Sequence, residues 1–203
     1  MALFSAIVLP LVSIEIRSYI IDNVNQQAAG FWELMTRISK YYLMFVSSLL
    51  TLYILPRLSE IDNVKEFRKE VFGFYKTIIP VFGLGLLAIY FLRPFIVLFI
   101  SSAEFKPVED LFFWQLLGDF VKVLSIVIAY QFLAKNMFWH YIITEAFSVA
   151  LMYLTSIYFI DMYGVKGVTI AHFVTYAIHY GVILVIFSNS LFGVIPQEYE
   201  DNS

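Results

Sequence analysis

The chain has 203 residues, of which 61% are hydrophobic, 19% aromatic and only 14% charged. A water-soluble domain carries about 25% charged residues, so this composition, with a mean hydropathy of +0.80, excludes one. The net charge of -3 excludes a basic nucleic-acid surface, and the absence of cysteine excludes disulfides and cysteine-ligated metals. What remains is an all-α polytopic membrane protein. A crossing takes about 20 apolar residues plus a connection, so about six or seven crossings use the whole length. No room is left for a separate catalytic domain.

The first apolar run, from Ala2 to Ile21, lacks the basic start and small-residue cleavage pattern of a signal peptide and predicts a transmembrane helix. The second runs from Phe31 to Leu55 and ends at Pro56. A polar, amphipathic segment follows over residues 61–73, with Lys65, Arg68 and Lys69 set against Ile61, Val64, Phe67 and Val71. This pattern suits a helix lying on the inner leaflet among anionic headgroups. The third crossing spans Phe74 to Leu92, with Pro94 just beyond. Residues 95–101 are apolar but too few to span, which predicts an interfacial or re-entrant turn. The fourth, fifth and sixth crossings are Leu111–Ala134, Phe138–Ile160 and Val168–Phe187. Residues 1–187 thus form a six-helix bundle, and residues 188–203 form a short acidic cytoplasmic tail bearing Glu198, Glu200 and Asp201. Arg57, Lys65, Arg68, Lys69, Lys76 and Lys135 fall on one side, against Arg93, Lys106 and Lys166 on the other. The positive-inside rule then puts the basic side and both termini in the cytoplasm.

Two segments resemble each other. Residues 31–40 (FWELMTRISK) and 113–122 (FWQLLGDFVK) share Phe-Trp, Leu and Lys in one register, and each opens a crossing. Repeated segments are common in transporters. Their charges are the informative part. Glu33, Arg37, Lys40 and Tyr41 fall on one helical face, as do Gln115, Asp119 and Lys122. Arg37, Lys40 and Lys122 together would cost on the order of 8–10 kcal/mol if they faced lipid, so they should line one wet groove or pair with other groups. Arg17 and Glu15 in the first crossing and Glu145 in the fifth are further candidates. The structural alternatives are pairing of Glu33 with Arg37 and of Asp119 with Lys122 along their own helices, and headgroup anchoring for Arg17, Trp32 and Trp114.

Other chemistry is weakly supported. No HExxH, P-loop, GxSxG or GxGxxG sequence occurs. His172 and His179 share a face but stand about 10 Å apart along a helix, too far for one metal. For these two and His140, aromatic packing or a helix–helix hydrogen bond is the reading preferred over catalysis. No cofactor or metal site is expected.

Several stretches carry a family resemblance. They are Glu33 to Leu58, with its Arg-Ile-Ser-Lys-Tyr-Tyr start at Arg37 and its Leu-Pro-Arg-Leu-Ser end at Ser59; Ser102-Ala103-Glu104-Phe105 with Asp110 to Asp119; and Gly164-Val165-Lys166-Gly167. Together they resemble the Wzx-type O-antigen flippases of the multidrug/oligosaccharidyl-lipid/polysaccharide exporter superfamily. The resemblance implies one six-helix bundle, the C-terminal half of a transporter with about twelve helices, whose partner would be the missing N-terminal half. It implies no enzyme activity. It implies instead translocation of undecaprenyl-pyrophosphate-linked O-antigen oligosaccharide across the bacterial inner membrane in lipopolysaccharide biosynthesis, beside other O-antigen assembly proteins and membrane lipids. Under it, Arg37, Lys40 and Lys122 would meet the pyrophosphate. Glu33, Gln115 and Asp119 would bind sugar hydroxyls or hold the basic side chains, and Arg17, Trp32 and Trp114 would complete the cavity. Asp119 and Glu145 are the candidates for coupling to proton or sodium entry. The alternatives are a small-cation exporter of the same superfamily, and a glycan-processing membrane enzyme with His140 or His172 as base.

Overall fold

The computed structural model describes residues 2–193, and these are almost entirely helical. Helix α1 covers Ala2–Asn23. Asn25 then caps α2 (Gln26–Leu49), its side-chain oxygen accepting the Ala28 N–H at 2.7 Å. A π-helical turn over Leu50–Ile54 joins α2 to α3 (Leu55–Glu60). Asn63 caps α4 (Val64–Ile100), a 3-10 helix covers Ala103–Leu111, and α5 (Phe112–Ala134) follows. Helices α6 (Phe138–Tyr163), α7 (Val165–Ile186) and the short α8 (Ser188–Phe192) complete the described chain.

Six of these helical runs are long and apolar enough to cross a membrane. Three boundaries differ from those the sequence suggests. The second crossing starts earlier, at Gln26, because Asn25 supplies an N-cap. It also runs on through Pro56 to Glu60. The π turn sits just upstream of this proline and widens the helix where the ring would press on the preceding turn. From Val64 to Ile100 the amphipathic segment, the third crossing and the apolar stretch after Pro94 are a single helix of 37 residues, with Pro80 and Pro94 inside it. At 1.5 Å per residue α4 is about 55 Å long, longer than the roughly 30 Å hydrocarbon core, so it extends past the membrane or tilts within it. The third difference is at the carboxyl end, where residues 188–192 form a helix with Leu191 buried. Arg68 fastens it, donating to the carbonyls of Ser190 and Gly193. The acidic residues Glu198, Glu200 and Asp201 lie outside the described residues.

Helix α5 is central. More than half of its apolar stretch is buried, against less than a third in every other crossing. Helix α7 packs along both α5 and α6, while α1 lies against α6 and α2. One apolar cluster joins Leu50, Ile54 and Leu58 to Phe67, Val71, Val127, Phe132 and Ile183. A second joins Met35 and Ile38 of α2 to Val108, Leu111 and Phe112. A third holds Ile16, Ile20, Trp32, Ile160 and Val168. Large exposed side chains such as Leu52, Phe91, Phe95 and Phe99 cover the outer surface, as expected where lipid replaces water.

Two glycines shape the packing of α7, one by close approach and one by its backbone conformation. A Cβ on Gly118 would strike the His172 ring, so its absence lets α5 lie directly on α7. Gly164 makes the whole link between α6 and α7 with φ of +59°, a conformation natural to glycine. The connection expected over 161–167 is thereby reduced to one residue.

Candidate functional site

The charged residues form two groups, separated by the two faces of α2. On the face turned away from the bundle lie Glu33, Arg37, Lys40 and Tyr41, all exposed. Arg17 Nε of α1 stands 3.5 Å from Glu33 Oε2, and Arg37 reaches Glu33 Oε1 at 3.3 Å. One carboxylate therefore bridges two guanidinium groups from adjacent helices. Lys40 lies beyond this triad without an ion-pair partner among the described residues. The helical run from Gln26 to Glu60 has its midpoint three residues past Lys40, so the ammonium-bearing residue lies about 5 Å from mid-helix.

The inward face of α2 carries Ser39 and Tyr42, and both hydroxyls donate to Asp119 on α5. Asp119 is fully buried. Its Oδ2 accepts from Ser39 at 2.7 Å, from Tyr42, and more distantly from Gln115 Nε2 at 3.4 Å. Its Oδ1 stands 2.8 Å from His172 Nε2 on α7. Helices α2, α5 and α7 thus meet at one carboxylate. Three or more donors replace the water that a buried carboxylate would otherwise lose.

Below Asp119 the polar seam between α5 and α7 continues. Lys122 Nζ lies 4.9 Å from the centroid of the Tyr176 ring, a cation–π contact that partly replaces hydration. Tyr176 lies edge-on to His172 at 4.8 Å, and His179 Nδ1 meets Ser125 Oγ at 2.8 Å. Glu145 on α6 is half-buried. Tyr141, one turn before it, is hydrogen-bonded to Ser5 of α1 at 2.8 Å.

These positions separate residues that the sequence groups together. Lys122 stands apart from Arg37 and Lys40, on another helix and over an aromatic ring. Trp32 is buried in the cluster with Ile16 and Ile20 and serves packing rather than an open wall. Trp114 is half-buried between Phe113 and Phe173. The two similar segments also differ in setting, for Phe31 is buried and Phe113 exposed. His172 and His179 make helix–helix hydrogen bonds, and His140 stacks on Phe132. Among the described residues, no group of three or more His, Cys, Asp or Glu is placed to hold a metal ion. A recess of about 210 Å³ lined by Pro94, Val97, Leu98, Ser102, Lys106 and Glu109 shares no residue with either charged group.

Sequence reasoning missed Ser39 and Tyr42; for His172 it preferred a helix–helix hydrogen bond, which the structure shows, but did not supply the partner. A signal existed for the first two. They lie on the face of α2 opposite its charges, where an amphipathic helix buries its side chains, and buried hydroxyls require partners. The pairing of His172 with Asp119 had no sequence signal, because the two residues are 53 positions apart.

The architecture is that of a multi-pass, all-helical membrane protein with ionisable groups both on its exposed face and at its centre. Comparison with curated proteins is specific. Over 187 residues, 92% of this chain, it is 28% identical to the lipid III flippase of Escherichia coli (strain K12), and equally to the lipid III flippase of Shigella flexneri. The match covers 45% of each relative, so the chain spans about half the length of the curated relatives it matches. The similarity relates it to flippases, in agreement with the resemblance carried by its sequence segments. No family model and no solved structure matches the chain.

Proposed function

We propose that the chain is one six-helix bundle of a flippase that moves a lipid-linked oligosaccharide from the cytoplasmic to the periplasmic leaflet of the bacterial inner membrane. The cargo we assign is O-antigen oligosaccharide on undecaprenyl pyrophosphate. The observation that carries this reading is the stripe formed by Arg17, Glu33, Arg37 and Lys40 on the exposed face of α1 and α2. Facing lipid, Arg37 and Lys40 alone would cost on the order of 5–7 kcal/mol. The cost vanishes if a second six-helix half stands across the stripe and encloses water. A dianionic pyrophosphate has the complementary sign. Arg37 offers a two-pronged donor and Lys40 a point charge, while Glu33 holds both guanidinium groups in place. The stripe carries three cations against one carboxylate, which disfavours a cationic cargo.

The test is a double substitution, Arg37→Ala with Lys40→Ala, in the intact gene product expressed in its own cells. Surface O-antigen should fall at least tenfold, while immunoblots of the membrane fraction show unchanged protein and the lipid-linked oligosaccharide accumulates inside. Undiminished O-antigen in the double variant would sink the proposal.

A further inference from the structure

We propose that the carboxyl end of α4 binds one phospholipid with a zwitterionic, amine-bearing headgroup, a phosphatidylethanolamine. Its phosphate meets Lys106, its ammonium meets Glu109, and an acyl chain lies along the apolar last turns of α4. The site is on a face of the bundle away from the Arg37 stripe and needs no assumption about what is transported.

Two adjoining recesses define the place. The first, of about 210 Å³, lies between Pro94, Val97 and Leu98 of α4 and Ser102, Lys106 and Glu109. The second, of about 580 Å³, is lined wholly by apolar side chains of α4, Phe95 and Phe99 among them, and shares Leu98 with the first. A polar pocket thus continues into an apolar trough, as a headgroup continues into a chain. Phe95, Leu98 and Phe99 are 70%, 68% and 92% exposed. Leaving such a side chain in water forgoes about 1.5–3 kcal/mol, so this face belongs in hydrocarbon. The charges sit at its edge. Pro94 and Val97 lie six and three residues before Ile100, the end of α4, which is about 9 and 5 Å back along the helix.

The two charges of the pocket are held apart. Lys106 and Glu109 stand three positions apart on the 3-10 helix, a spacing at which side chains eclipse. They line one recess, yet neither forms an ion pair among the described residues. Ser102 caps nothing with its side chain. Other charges nearby do not fill the gap. Arg93 donates to the Tyr90 carbonyl at 2.8 Å and lies over the Tyr90 ring, while Glu104 and Asp110 do not line the recess. A cation and an anion on one wall match a ligand that carries both signs on a short spacer. A phosphate accepts from Lys106 and Ser102, and a primary ammonium donates to Glu109. The quaternary ammonium of phosphatidylcholine has no N–H to donate. Phosphatidylglycerol brings a phosphate without a cation and sets a like charge against Glu109. The ethanolamine headgroup satisfies both residues.

The test takes the full-length protein in mild detergent and counts bound phospholipid by native mass spectrometry. Phosphatidylethanolamine, phosphatidylcholine and phosphatidylglycerol with the same acyl chains are added at equal concentration. The ethanolamine lipid should be bound about fivefold more than either of the others, equivalent to about 1 kcal/mol. Glu109→Gln should erase its advantage over the choline lipid while both still bind. Lys106→Gln should reduce binding of all three roughly threefold. Lys65→Gln, at the opposite end of the bundle, should leave the ethanolamine preference intact. Placement is read separately, with p-benzoylphenylalanine in place of Leu98 in the full-length protein. Irradiated in membranes that hold the three lipids in equal amounts, it should attach mainly to phosphatidylethanolamine. Equal binding of the three lipids, or a preference that survives Glu109→Gln, would overturn the proposal. So would a cross-link from position 98 to another part of the polypeptide, which would mean that protein rather than lipid covers the recess.

Discussion

At the residue scale, small differences in side-chain size decide what the bundle can hold. Gly118 is one residue before Asp119 and lies under the His172 ring. In an isolated helix alanine would be better than glycine by about 1 kcal/mol. Here its Cβ would collide with His172 and stand 3.0 Å from the Phe173 backbone nitrogen, and overpacking of this kind typically costs about 1–3 kcal/mol. Gly118→Ala should therefore lower the melting temperature of the detergent-solubilised protein by several degrees, with His172 displaced from Asp119. Gly85 has no atom within 4 Å of the same added carbon. Gly85→Ala should leave the melting temperature unchanged or raise it, and a larger loss there than at Gly118 would contradict the close-approach argument. The charged residues follow the same logic of surroundings. Asp119 and Arg37 are both ionisable groups at membrane depth, yet one is enclosed by donors and the other stands on an open face.

At the element scale, the second crossing shows how a helix passes a proline. A regular α-helix would press the Pro56 ring against the carbonyl of Leu52 and cost about 3 kcal/mol. The π turn over Leu50–Ile54 adds a residue just before it, and Leu55 N–H bonds to the Leu50 carbonyl. Leu50, Ile54 and Leu58 then all remain buried on the side of α5. Deleting Leu52, which is 78% exposed, should remove the turn and restore the clash, lowering thermal stability. Adding Pro56→Ala to that deletion should recover most of the loss. If the deletion alone melts like the parent, the turn does not serve this purpose. The sequence signalled the proline but not the remedy, because periodicity marks a helix stop at proline whether or not an extra residue lets the helix continue.

At the scale of the whole molecule, the orientation of the bundle is a consequence of where its basic residues lie. Lys135 pairs with Asp62 at 3.1 Å and bonds the Ser59 carbonyl, joining two turns at one end of the bundle. Arg68 caps α8 at that same end through Ser190 and Gly193. The concentration of Lys and Arg there predicts a cytoplasmic position. Lys65→Cys should react with a membrane-impermeant maleimide only in inside-out vesicles, and Lys106→Cys only in spheroplasts; both residues are exposed. The opposite pattern would invert the topology.

Hydrophobic runs alone determined that the chain crosses the membrane about six times, and helical spacing alone put Glu33, Arg37 and Lys40 on one face. Both follow from local periodicity and the cost of charge in hydrocarbon, which depend only on residues close in sequence. Tertiary structure decided which charges stand together. It tied Arg17 to Glu33 across two helices, drew Ser39, Tyr42 and His172 to Asp119, and set Lys122 over Tyr176 instead of beside Arg37. Those contacts join residues up to 80 positions apart. They are fixed by how α2 rotates on α5 and by how closely Gly118 lets α5 approach α7, and neither quantity is written in any one segment.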